Sequence, residues 1–156
     1  MKQICSTLFT LLALLAVRAQ EIPPAEWQIK TALMAVPSDY REGARVYGYD
    51  KDGKLVTLKE GANAYIALAD NPANKNFSTA AYHKDLEPFM ARGRQLRAEG
   101  KAADEIFQIR EQEVRDGKLP MPDKATLCVF SGSVNVETGE IENPYVRYVF
   151  YVPFAT

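Results

Sequence analysis

Alternating hydrophobic and polar residues mark several short segments of this chain, and these segments are rich in Val, Tyr, Phe and Thr. A period of two is typical of β-strands that bury one face. Asp and Gly in residues 50–53 indicate a hairpin turn between the first two segments. The predicted strands are residues 44–49, 54–58, 64–69, 126–130 and 145–152, with a small hairpin over residues 134–141.

Three other segments carry apolar residues at helical spacing. The first begins after the Pro-Pro pair at 23–24 and ends before Pro37. The second starts at Asp85, which we expect to be its N-cap, and the third covers residues 102–115. Residues 70–79 are polar and rich in Asn, which predicts a loop.

Groups of strands separated by two helices are typical of an α+β fold. We therefore predict a mostly antiparallel sheet with a helical pair inserted between strand groups and one N-terminal helix. In the last strand, Val146, Tyr148, Phe150 and Val152 share one face because their positions alternate. We expect this face to meet the core.

The first 19 residues combine the features of a secretory signal peptide. Lys2 precedes an apolar run over residues 8–17, and Val17 and Ala19 form an A-x-A-like end. The run is too short to cross a bilayer. We expect residues 1–19 to be removed and residues 20–156 to form a single α+β domain that is secreted or periplasmic and has no membrane attachment.

Charge and cysteine content narrow the possible functions. The leader contains two of the 19 basic residues and none of the 20 acidic ones, so 17 basic residues remain and the formal charge becomes −3. This mild acidity argues against nucleic acid as a partner. Cys128 is the only cysteine after the leader, which excludes an intramolecular disulfide there. No cofactor or metal is expected, since no phosphate loop, dinucleotide motif or Cys/His zinc pattern occurs.

Two predicted strands carry arginine flanked by tyrosines on one face. These ligand-binding candidates are Arg45, Tyr47 and Tyr49 in the first strand and Tyr145, Arg147 and Tyr151 in the last, together with Tyr82. If the two strands lie side by side, guanidinium groups and phenols form a platform that suits an anionic group or a sugar. The alternative interpretation is structural: tyrosines supply bulk to the sheet, and arginines cover them through cation–π contacts.

Few residues are suited to catalysis. His83 is the only histidine, so a general acid or base is sought there first, with Asp85 close by in sequence. Cys128 is a candidate nucleophile that His83 would activate. The alternative interpretation is a histidine that binds nearby backbone at a helix start and a buried structural cysteine in an apolar strand.

These observations favour a non-catalytic binding domain for a small molecule or a protein. The Tyr/Arg strand face, and the segment around His83, would hold the ligand. One alternative is a small secreted hydrolase that uses His83 with Cys128 or Asp85. Another is a structural or assembly component of the cell envelope, for which an exposed apolar patch or a symmetric interface would be diagnostic.

Overall fold

The computed structural model describes residues 21–153, so the predicted leader lies outside the described residues. Within this range the chain forms three α-helices: α1 (Ala25–Ala32), α2 (Glu87–Ala98) and α3 (Ala103–Arg115). It also forms six strands: β1 (Arg45–Tyr49), β2 (Leu55–Lys59), β3 (Tyr65–Leu68), β4 (Phe77–His83), β5 (Ala125–Val134) and β6 (Ile141–Tyr151).

The six strands form one sheet in the order β2-β1-β3-β4-β5-β6. All neighbours are antiparallel except β1 and β3, which are parallel. The helical pair α2–α3 is inserted between β4 and β5, and α1 precedes the sheet. The predicted α+β fold with a mostly antiparallel sheet is confirmed. The predicted hairpin is confirmed as well, since β1 and β2 are joined by a turn in which Gly53 has a φ of 73°.

The interior strand β4 was not predicted, and the loop predicted over residues 70–79 is wrong from Phe77 onwards, where this strand begins. β4 pairs with β3 on one side and with β5 on the other. Phe77, Thr79 and Ala81 are buried on one of its faces. The segment contains small and hydroxyl-bearing residues with modest strand propensity, so its strand conformation depends on the pairing and burial supplied by the neighbouring strands.

Helices pack on both faces of the sheet. On the α1 side, Val46, Ala67 and Ala81 join a buried cluster with residues of the N-terminal helical segment. On the α2 side, a second buried cluster contains the sheet residues Ile66 and Tyr82. They pack with Leu86 and Phe89, which lie at the start of the helical pair after β4. The two faces of the sheet therefore carry separate apolar clusters.

The face of β6 that was expected to meet the core is exposed, so this prediction is wrong. Val146, Tyr148, Phe150 and Val152 are 45%, 59%, 72% and 58% exposed. They lie on the α1 side, where the eight-residue α1 packs over β1, β2 and β4. A helix of that length is about 12 Å long, whereas six strands span roughly 24 Å. The opposite face of β6 is the packed one, because Tyr151 contacts Phe89 at 5.4 Å between ring centroids.

Candidate functional site

A groove of about 670 Å³ opens on the α1 side, over the half of the sheet that α1 leaves uncovered. Its floor comes from β3, β4, β5 and β6, and Ala35 and Pro37 after α1 form one wall. We call this cavity the α1-side groove. The lining side chains that matter for its chemistry are Tyr65, Ala81, His83, Cys128, Tyr148 and Phe150.

Aromatic side chains border the α1-side groove on both sides of a small residue. Ala81 lies opposite Cys128 in the sheet, and Cys128 lies opposite Tyr148. On the other side, Tyr65 packs against Tyr40 with 4.8 Å between ring centroids. The methyl group of Ala81 occupies little space, so the floor of the groove is low between tyrosines that can stack on a flat ligand.

His83 ends β4 and lines the α1-side groove. Its ring lies edge-on to Tyr65, with 6.4 Å between centroids. Nδ1 accepts a hydrogen bond from the backbone N–H of Asp85 at 3.3 Å and lies 3.2 Å from Oδ2 of the same residue. The structural interpretation of a histidine that binds nearby backbone is thus confirmed. Asp85 is not the N-cap of α2, because α2 begins two residues later and Leu86 occupies that position.

The Nε2 atom of His83 makes no hydrogen bond to any residue between 21 and 153. It is therefore the ring nitrogen that remains available to a ligand. Lys124 lines the same groove and adds a cation to it. A ligand lying on the tyrosines would thus meet a donor or acceptor at His83 and a positive charge nearby.

Cys128 is half-buried in β5 and faces the α1-side groove. Burial raises the pKa of its thiol above the ordinary value, and a hydrogen bond with the Tyr148 side chain opposes this shift only in part. The interpretation of a buried structural cysteine agrees with the raised pKa, but the side chain is only half-buried and lines the groove. At neutral pH the thiol stays protonated, which makes it a poor nucleophile.

His83 and Cys128 share the groove but are not directly opposite each other in the sheet. Cys128 lies opposite Ala81, so His83, two residues further along β4, is its diagonal neighbour. Diagonal residues on adjacent antiparallel strands are about 7–8 Å apart, and their Cβ atoms are somewhat closer. Within the described part of the chain, no hydrogen bond joins the two side chains. The arrangement can hold a ligand between an imidazole and a thiol, but it does not form a nucleophile–base pair.

The structure does not bring the two predicted Arg/Tyr strands together. β1 and β6 lie on the same sheet with three strands between them, which corresponds to about 19 Å. Their arginine and tyrosine side chains do share the α2 side, as the pairing registers show. Arg45 bonds to Glu60 at 2.9 Å, and Tyr145 is 63% exposed at the far edge. A single anionic group cannot contact both strands. The Arg/Tyr platform required these strands to lie side by side, and they do not.

Tyr82, another predicted ligand-binding residue, is 1% exposed and serves a buried polar network. Its hydroxyl donates to Glu87 Oε2 at 2.6 Å and accepts from Arg94 Nη1 at 3.0 Å. Arg94 Nη2 in turn donates to Glu87 Oε1 at 2.6 Å, and its guanidinium lies 5.8 Å from the Tyr47 ring centroid. The arginine that covers β1 thus comes from α2. Tyr82 also borders the α1-side groove, but its hydroxyl is already bonded within this network.

A second groove, of about 530 Å³, lies on the α2 side between α3 and β6. We call it the α3-side groove. Arg110 lines it, stacks over Phe89 at 4.0 Å and donates from Nη1 to the Phe89 carbonyl oxygen at 3.3 Å. Burial lowers the pKa of Arg110, and its buried Nε has no partner among the described residues. Neither groove was predicted as a site, because its walls come from elements far apart in sequence.

Both grooves border the same part of one strand. Phe150, Tyr151 and Val152 line the α1-side groove and the α3-side groove alike. The C-terminal half of β6 is therefore the element that the two cavities share. Sequence analysis identified this strand but assigned its exposed face to the core.

No family model matches the chain, and no curated protein or solved structure is significantly similar to it. Among the described residues, no helix is both long and apolar enough to span a membrane. Residues 21–153 also contain no cluster of three His, Cys, Asp or Glu side chains that would hold a metal ion. The function therefore has to be inferred from the geometry of the grooves.

Proposed function

We propose that this protein is a non-catalytic binding protein and that the α1-side groove is its ligand site. The observation that carries the proposal is the groove itself, whose volume of about 670 Å³ lies in the range typical of small-molecule sites. The ligand class is a planar apolar molecule that carries an anionic or hydrogen-bonding group. Tyr65 and Tyr148 contact its flat body, and His83 Nε2 and Lys124 contact its polar group.

The raised pKa of Cys128 supports binding over catalysis. A cysteine nucleophile needs its thiolate at working pH, and a neighbouring base within hydrogen-bond reach usually provides it. Here His83 uses Nδ1 for the turn at Asp85 and lies diagonal to the thiol. The groove thus combines recognition groups with an unactivated thiol.

The proposal is tested with 8-anilinonaphthalene-1-sulfonate, an aromatic anion with a flat naphthalene ring that becomes fluorescent on binding. Cys128 serves as the local reporter, because it is the only cysteine of the processed chain and faces the α1-side groove. We expect the probe to bind and to slow alkylation of Cys128 by N-ethylmaleimide. The Tyr148→Ala variant should bind the probe at least tenfold more weakly and lose the protection.

Tyr145→Ala is the matched control. Tyr145 lies on the same strand and is 63% exposed, close to the 59% of Tyr148, but it projects from the opposite face. It should retain both binding and protection of Cys128. Unchanged alkylation in the presence of saturating probe, or equal losses in the two variants, would show that the α1-side groove is not the site.

One observation favours a second candidate function, a thiol hydrolase: His83, Asp85 and Cys128 all line the α1-side groove. In that case ligand binding would have to bring His83 and the thiol into contact and lower the pKa of Cys128. Turnover of activated esters such as p-nitrophenyl acetate tests this. Activity that disappears in both Cys128→Ser and His83→Gln would establish the hydrolase, whereas activity that persists in His83→Gln would reflect simple thiol reactivity.

We also propose that the protein works outside the cytoplasm after loss of its leader. The support is the leader pattern at residues 1–19. Mass spectrometry of the protein purified from its native host should show an N-terminus near Gln20. A mature chain that retains residues 8–17 would contradict export by cleavage.

A further inference from the structure

β6 is an edge strand with a regular apolar stretch on its free side. It contains 11 residues, pairs with β5 along one side and has no strand among residues 21–153 on the other. Asn143, with a φ of 49°, and Pro144 interrupt the strand where its register with β5 shifts, so residues 145–151 form its regular part. Its free side presents backbone N–H and C=O groups to solvent. Such edges readily pair with another strand, and soluble proteins usually shield them with charges, proline, bulges or short length.

The opposite edge of the sheet shows this protection. β2 has only five residues, and Lys54, Lys59 and Glu60 stand at or next to its ends. Over residues 145–152, in contrast, β6 carries Arg147 as its only charged residue. Five large apolar side chains in that stretch are 45–72% exposed: Tyr145, Val146, Tyr148, Phe150 and Val152. The β2 edge is therefore short and flanked by charges, whereas the apolar stretch of β6 lacks this protection against pairing with another strand.

We propose that β6 pairs antiparallel with β6 of a second copy of this chain, with the two-fold axis passing beside Tyr148. The inference is independent of the ligand proposed above. In this register Tyr148 faces its counterpart, and Val146 faces Phe150 of the other copy. Pairs of aromatic and β-branched side chains opposite one another stabilise antiparallel strands.

Charge placement supports a second copy as the occupant. In this register each Arg147 lies opposite Val149 of the other copy, so the two arginines avoid direct opposition, which would be destabilising. The two outer positions on the α2 side pair Tyr145 with Tyr151. The apolar stretch of β6 is thus complementary to itself, and the register covers residues 145–151.

The surface available is enough for a reversible dimer. Aromatic side chains bury 150–250 Å² each, so Tyr145, Tyr148 and Phe150 at their exposure expose roughly 100–170 Å² apiece. With the two valines, two copies expose about 1,000 Å² in these side chains, which is the most that pairing can cover and lies near the lower limit for a specific interface. We therefore expect a dimer that dissociates on dilution. Because Phe150 and Val152 line both grooves, the second copy would also extend their outer walls.

Oligomeric state across a dilution series, measured by light scattering during size-exclusion chromatography, is the first test. The native chain should move from dimer to monomer on dilution. Val146→Lys should be monomeric at every concentration, because it places a charge on the pairing edge and lies outside both grooves. Thr57→Lys on the exposed β2 edge is the control and should still dimerise. Circular dichroism should show that both variants are folded.

Disulfide trapping tests the register in a Cys128→Ser background. Tyr148→Cys should give a covalent dimer under mild oxidation, since directly opposite Cα atoms are about 4.5–5.5 Å apart, within disulfide range. Arg147→Cys should not, because its two Cα atoms would be more than about 7 Å apart. A native chain that is monomeric throughout, dimerisation lost only in Thr57→Lys, or equal trapping at both positions would overturn the proposal. Monomeric protein that instead captures a strand of different sequence at β6 would assign the edge to another partner and would also overturn it.

Discussion

Replacing Tyr82 by Phe removes one oxygen atom from the network between β4 and α2 and keeps the buried ring. That oxygen donates to Glu87 at 2.6 Å and accepts from Arg94 at 3.0 Å. Hydrogen bonds to charged groups contribute about 1.5–3 kcal/mol. The carboxylate and the guanidinium remain paired at 2.6 Å and are 24% exposed, so water can replace part of the loss. We therefore expect the free energy of unfolding to fall by about 2 kcal/mol.

Urea unfolding measures this loss as a lower midpoint at an unchanged slope. Tyr145→Phe is the matched control, because that tyrosine is 63% exposed and makes no side-chain hydrogen bond to residues 21–153. It should change the unfolding free energy by less than about 0.5 kcal/mol. The reasoning is refuted if Tyr82→Phe costs no more than this control.

The pH dependence of stability offers a second readout of Tyr82. Burial raises the pKa of Tyr82 above its ordinary value, so the folded state holds the phenolic proton more tightly than the unfolded chain. This contribution is fully present below about pH 10 and is lost as the pH rises further, by up to about 1.4 kcal/mol per pH unit. Tyr82→Phe should make the decline shallower. Some decline should remain, because burial also raises the pKa of Tyr49 and Tyr151.

Three further predictions concern the helical pair and one turn. A Cβ on Gly93 would lie 2.8 Å from Arg110 Nη1. Gly93→Ala should therefore lower the free energy of unfolding more in the native chain than in the Arg110→Ala variant, by at least about 0.5 kcal/mol, which a double-mutant cycle of urea unfolding measures. The hydrogen bonds from Arg92 lower the pKa of Glu113, so their contribution to stability is present above about pH 4.5 and is lost in more acid solution. Glu113→Gln should therefore make the melting temperature depend less on pH below about pH 4.5, and an unchanged dependence would contradict this. Gly139 has a φ of 71°, so Gly139→Ala should cost about 1 kcal/mol in urea unfolding and Gly139→Asn clearly less, whereas equal costs would exclude backbone strain as the cause.

The sequence pattern was sufficient for elements that are stabilised locally. The β1–β2 hairpin follows from Asp and Gly in its turn, and the predicted helix α3 has a local bond between Arg115 and Glu111, four residues earlier, at 2.8 Å. β4 was missed because alanines and hydroxyl residues form a strand there only when β3 and β5 supply partners. The sequence pattern therefore predicted the elements that are stabilised by interactions between residues close in sequence.

The face that β6 buries was predicted wrongly, because the face that carries a charge is the one that packs. Arg147 shares its face with Val149 and Tyr151, which pack on the α2 side, whereas Tyr148 and Phe150 on the uncharged face are exposed. The position of α2 and α3 decides between the faces, and that position is a tertiary property. The same holds for the Arg/Tyr strands: the shared face follows from alternation, whereas the distance between β1 and β6 depends on strand order.

The candidate site was predicted in part. His83, Asp85 and Cys128 were identified as candidates, with His83 paired to either of the other two, and all three line the α1-side groove. Their proximity results from the pairing of β4 with β5, which the prediction of a loop at residues 70–79 had concealed. Tyr65 was not considered, since nothing in its local sequence indicates that it faces His83 across the sheet.

The central claim is that the α1-side groove binds a ligand without activating its thiol, and the pH dependence of Cys128 alkylation tests it most directly. The rate of reaction with iodoacetamide reports the thiolate fraction of the folded protein. The raised pKa of Cys128 predicts a midpoint above that of a cysteine in the unfolded chain, with the same midpoint in His83→Gln. A midpoint below pH 7 that shifts upwards in His83→Gln would establish a cysteine–histidine pair and contradict the claim.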